Sequence, residues 1–153
     1  MGKINVGRVF LGGLVLGVVV LVGDVILGLV LPGLLRAFGA PPIATPTTTD
    51  AILVALITLL VGGPAGVWFY AAIRPRFGPG PKTATYVALW SWLIMGPYMQ
   101  TGLTLMGYPN PYPFVLWVVV DAIALPVFII AVLAGARVYQ EEEAGAAKAA
   151  AAD

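Results

Sequence analysis

Apolar residues fill four long stretches of the chain, 6–35, 50–73, 83–106 and 113–138, and polar residues gather in the short segments between them. Each stretch is long enough to cross a hydrocarbon layer about 30 Å thick at a rise of about 1.5 Å per residue. The breaks are sharply marked. Segment 37–49 is rich in proline and threonine, 74–82 in proline, glycine and arginine, and 107–113 carries three prolines. The pattern predicts an all-α integral membrane protein: one four-helix bundle over residues 1–139, without internal repeat, followed by a polar tail at 140–153. The first run begins with Lys3 and Arg8, as a signal peptide would, but its apolar length far exceeds the 7–15 residues of a signal-peptide core, so a retained anchor is expected. The tail, with Glu141, Glu142 and Glu143 before an alanine-rich end, reads as a solvated helical extension that frays.

Composition narrows the chemistry. With 60% hydrophobic and 10% charged residues, and a mean hydropathy of +0.98, the chain is too apolar for a soluble domain of its size. It contains neither cysteine nor histidine. Disulfides, thiolate nucleophiles, the usual zinc and haem ligands and imidazole catalysis are therefore excluded, and no cofactor, metal site or catalytic set is expected. An enzyme is not the expected function. A net charge of +1 forms no basic face for nucleic acid.

The placement of the cations says more than their sum. Lys3, Arg8, Arg74, Arg76, Lys82, Arg137 and Lys148 fall on one side of a four-span arrangement and only Arg36 on the other, which predicts cytoplasmic termini. Arg74, Arg76 and Lys82 suit anionic lipid headgroups, worth about 1 kcal/mol each. Lys82-Thr83 is not part of a phosphate loop: the glycine spacing is absent, and prolines remove the amide donors.

Asp24 and Asp121 are the only acids in the first and last runs, whose cations, Arg8 and Arg137, stand near the ends. A carboxylate near the middle of a spanning helix costs about 2.5–3.5 kcal/mol on insertion scales, so such residues usually face a bundle interior or a wet cavity. Asp24 lies eight residues before Pro32 and Asp121 eight after Pro113, which puts both about 12 Å below the outer boundary. Gly13, Gly17, Asp24 and Gly28 share one helical face, where glycine lets another backbone approach. Pro126 cannot donate to the carbonyl of Ala122, leaving an acceptor beside Asp121. Thr58, Ser91, Tyr98 and Gln100 are the other polar candidates at nearby depth. Two close carboxylates without a basic partner would share a proton or a cation. Plain helix-to-helix hydrogen bonding, worth on the order of 1 kcal/mol, accounts for the same residues.

Gly62-Gly63-Pro64 with Gly66, and Gly96-Pro97, interrupt the second and third runs. Transporters build sites at such breaks, but Gly62 and Gly66 are equally a small-residue packing pair. Trp90, Trp92 and Trp117 read as bundle or lipid contacts. Trp68, Tyr70, Tyr108, Tyr112 and Tyr139 read as interfacial anchors.

The string Tyr70-Ala71-Ala72-Ile73-Arg74-Pro75-Arg76-Phe77-Gly78-Pro79-Gly80-Pro81-Lys82-Thr83-Ala84 resembles the central motif of a group of small, uncharacterised bacterial four-span membrane proteins, and the similarity extends over most of the chain. The resemblance implies a bacterial cytoplasmic-membrane protein and places Asp24 and Asp121 at positions where members carry acids, more often glutamate. Members also carry asparagine one turn beyond the first acid, where this chain has Gly28. The resemblance implies no reaction; the glycine stripe, the lack of catalytic side chains and the two acids leave two functions open: a packing protein, homo-oligomeric or accessory to a larger membrane complex, and a small proton- or cation-coupled transporter.

Overall fold

The computed structural model describes residues 4–39, 47–107 and 114–150, with the side chains of the last helix described over 115–139. Every regular element among them is helical: α1 (Val6–Ala37), α2 (Thr48–Ile57), α3 (Gly63–Phe77), α4 (Pro81–Leu93), α5 (Met99–Leu105) and α6 (Phe114–Ala150). A π turn at Thr58–Gly62 joins α2 to α3, and another at Ile94–Tyr98 joins α4 to α5. Both π turns fall where glycine and proline interrupt the apolar runs.

Among the described residues, three helices are long and apolar enough to cross a membrane: Val6–Ala37, Thr48–Phe77 and Val115–Tyr139. The third unit, 81–105, is helical throughout but more polar, because Ser91, Gly96, Pro97, Tyr98, Gln100 and Thr101 dilute its apolar content.

Local chemistry sets the helix ends. The Asn5 side chain accepts from Arg8 N at 3.1 Å, capping α1. Thr47 and Asp50 form a reciprocal capping box at the start of α2. The loop expected over 74–82 is shorter than the sequence implies. Arg74, Pro75 and Arg76 belong to the last turn of α3, whose stop is Gly78 at φ 82°, and Pro81 opens α4. The backbone N–H of Gly80 donates to the Tyr70 hydroxyl at 3.1 Å, and Thr83 Oγ1 donates to the Gly78 carbonyl at 2.7 Å. Tyr70 is thus a fully buried core residue and not an interfacial anchor. It also meets Tyr139 edge-on, with ring centroids 6.3 Å apart. Tyr108 and Tyr112 lie outside the described residues. The tail stays helical to Ala150; the side chains of Glu141, Glu142, Glu143 and Lys148 lie outside the described set, as does Lys3.

The main core cluster occupies the cation-rich end of the packed helices. Val67, Tyr70, Thr83, Val87 and Val132 are its largest fully buried side chains, with Val9, Leu16, Ala131 and Ala136 around them. Glycine allows this tight packing. A methyl group on Gly12 would stand 2.7 Å from the Gly135 carbonyl oxygen, so α1 and α6 cross backbone to backbone. Gly13 meets Gly63 and Pro64 of α3 just as closely. The same end carries Arg8, whose guanidinium reaches the Val138 carbonyl at 3.4 Å. Arg74 lies 5.6 Å from the centre of the Tyr139 ring.

The opposite end is looser, with Leu35 of α1 and Trp117 of α6 as its buried side chains among the described residues. No residue of α2 or α5 is buried, and Val22, Val25, Ile26, Leu29 and Val30 of α1 are exposed.

Candidate acidic site at the second π turn

Asp121 sits on α6 against the π turn of the third helical unit. A π turn widens the helix and moves the backbone groups at its break, which is why such turns recur at functional positions. Here the widened turn carries Gly96, whose bare Cα receives the carboxyl group. A methyl on Gly96 would lie 3.1 Å from Asp121 Oδ1, 3.2 Å from Cγ and 3.3 Å from Oδ2. A side chain at this position would require the carboxyl group to shift by a few tenths of an ångström. Trp92, one turn earlier on α4, donates its indole Nε1–H to the Asp121 backbone carbonyl at 2.8 Å. Thr101 Oγ1 donates to the Pro97 carbonyl at 2.7 Å and secures the far side of the turn.

This arrangement holds Asp121 by its backbone and leaves its carboxyl group incompletely satisfied. Oδ2 is buried and makes no hydrogen bond. A buried polar oxygen without a partner is unfavourable by about 1–3 kcal/mol, and more when charged, so a donor or a cation is what the position calls for. The surroundings supply an acceptor: Pro126 lacks an N–H group, so the carbonyl of Ala122 loses its usual helical donor. Such a site can bind a proton or a small cationic donor. Among the described residues no three acidic, cysteine or histidine side chains gather as a metal site would require.

The Trp92 bond gives a direct check. Trp92→Phe should lower stability by about 1 kcal/mol, the usual net worth of one such hydrogen bond. Thermal unfolding in detergent, followed by the remaining tryptophans, reads it.

Asp24 is differently placed. Its neighbour Gly23 is buried against the Val127 side chain of α6, while Asp24 itself is exposed. Val127 lies six residues beyond Asp121, so α6 carries Asp121 about 7 Å further along the helix axis than the level of Asp24. The equal depth obtained by counting from the prolines assumed straight helices with common ends, whereas the packed pairs Gly12 with Gly135 and Gly23 with Val127 set the actual register.

The remaining candidates are dispersed. Thr58 and Ser91 are half-buried, and Gln100 is exposed. Tyr98 is 72% exposed and lines an open groove of about 600 Å³ with Trp90, Leu93, Ile94, Pro97 and Thr101. That groove lies across the helix from Gly96. Gly17 packs on Thr58 and Leu59, and Gly66 on Leu16, whereas Gly28 has nothing within 4 Å and Gly62 meets only the Ile57 carbonyl oxygen, at 3.8 Å. Arg76 and Lys82 are exposed beside Arg74 at the cation-rich end. Sequence reasoning missed Gly96 and Trp92 as partners of Asp121. The available signal was Gly96-Pro97 at a helix break, but its pairing with α6 depends on the turn's extra residue.

No known protein family, curated protein or solved structure matches the chain.

Proposed function

We propose that the chain is a four-span protein of the bacterial cytoplasmic membrane, with both termini in the cytoplasm. It acts by association, as a homo-oligomer or as an accessory subunit of a larger membrane complex, and not as an enzyme. Asp121 supplies a buried acidic site within it. The observation that carries this reading is the contrast between the two ends: the cationic end has a close-packed core, while the outer halves of α1, α2 and α5 expose aliphatic side chains among the described residues. Arg74, Arg76 and Lys82 face anionic headgroups at the packed end. Counting subunits by single-molecule photobleaching in lipid nanodiscs tests the reading. Two or more copies, or co-purification with a fixed set of membrane proteins, support it, and a monomer without partners contradicts it.

A second reading has its own support. Both interrupted helices carry a π turn, and the unsatisfied Asp121 oxygen lies against one of them, as a proton- or cation-coupled transporter would use. Proton flux into vesicles that disappears with Asp121→Asn favours transport.

A further inference from the structure

The face of α1 that packs on the second span continues beyond the point where the packing stops. Gly13 meets Gly63 and Pro64, and one turn on Gly17 meets Thr58 and Leu59. At this level the second span turns away. α2 makes no substantial packing with any described element other than its own π turn, and none of its residues is buried. Asp24 and Gly28, which extend the stripe of Gly13 and Gly17, are left open.

Continuing the observed antiparallel register along the stripe gives definite partners. Leu21 falls opposite Ala55, Asp24 opposite Ala51 and Ile52, and Gly28 opposite Thr48. The chemistry across these positions is complementary. Ala51 and Ala55 are small enough for close helix approach beside Asp24. Pro32 cannot donate to the Gly28 carbonyl, so that oxygen lacks its helical partner in a layer without water. The Thr48 hydroxyl is a donor at the matching level. The π turn at Thr58–Gly62, followed by Gly63 and Pro64, is the natural pivot, because Pro64 removes the donor to Leu60 and loosens the helix there.

We propose that α2 is a hinged gate, pivoting at the first π turn to close on the outer half of α1 and cover Asp24. The open arrangement exposes Asp24 to the lipid, and the closed one shelters it against Ala51 and Ala55. The gate rests on the reading of the chain as a membrane-embedded bundle and adds to it a control over access to the first acid.

The absence of native cysteine makes the test clean. The full-length Leu21→Cys/Ala55→Cys protein is placed in phosphatidylcholine vesicles and oxidised with copper phenanthroline. An intrachain disulfide should form in most molecules. The control pair Val22→Cys/Ala55→Cys, with Val22 on the far flank of α1, should react about tenfold more slowly, as should the first pair carrying Gly28→Phe, which blocks small-residue contact. Thermal stability of Gly28→Phe should match the parent, because Gly28 has open space around it. Equal rates for the two pairs, no intrachain disulfide, or interchain disulfides from the single-cysteine variants would overturn the gate; the last result would assign the face to a second copy. Failure of the membrane reading is separately visible, as protein absent from the membrane fraction before oxidation.

Discussion

Gly13→Val should destabilise the protein at or above the upper end of the roughly 1–3 kcal/mol typical of overpacking. A side chain at Gly13 would run into the Pro64 backbone N and Cα and come within 2.8 Å of the Gly63 carbonyl carbon. These atoms cannot rotate away as a flexible side-chain tip could. Relief requires α1 and α3 to separate, and separation opens the core around Val67 and Leu16. The matched control is Gly28→Val, which meets nothing within 4 Å and should stay within about 0.5 kcal/mol of the parent, as substitutions outside packed regions do. Thermal unfolding in one detergent measures both. Similar losses at the two positions would mean that α1 does not pack on the second span at Gly13.

The second large effect is a reversal of sign at the acidic site. In the parent protein, Gly96→Ala brings a methyl to 3.1 Å from Asp121 Oδ1 and should destabilise by about 1 kcal/mol as the carboxyl is displaced. With Asp121→Ala already present, the obstruction is gone. The same Gly96→Ala should then stabilise by about 0.5–1 kcal/mol, the usual advantage of alanine over glycine in a helix. The coupling from this double-mutant cycle should fall between about 0.5 and 3 kcal/mol, the range for residues in contact. Additivity within about 0.3–0.5 kcal/mol would show that Gly96 and Asp121 do not form one site.

The helical class and the membrane-spanning character were legible from the apolar runs, because twenty or more consecutive apolar residues have few other stable uses. So was the packing role of Gly13 and Gly17, since a spacing of four needs only helical geometry. Tyr70 shows where this stops. Aromatic residues near a membrane boundary usually face headgroups, but the three-residue turn at 78–80 folds back and supplies the Gly80 N–H that lets Tyr70 be buried. Asp24 and Asp121 show the same limit. Helical spacing identified the stripe containing Asp24, but the π turn that diverts α2 from that stripe adds one residue to a turn, and periodicity does not register it. Gly23, one residue off the stripe, became the contact with α6 instead. The Asp121 site was half legible: the acid was evident from its apolar surroundings, while Gly96 required knowledge of which helix lies beside α6.

Asp121 shares its site with Gly96 and stands apart from Asp24. Infrared spectroscopy of aspartate-labelled protein in vesicles tests this most directly, with the Asp121 carboxyl bands assigned by their loss in Asp121→Asn. Gly96→Ala should shift those bands, and Asp24→Asn should leave them in place. Bands that move with Asp24→Asn and ignore Gly96→Ala would place Asp121 in a site with Asp24 and not with Gly96.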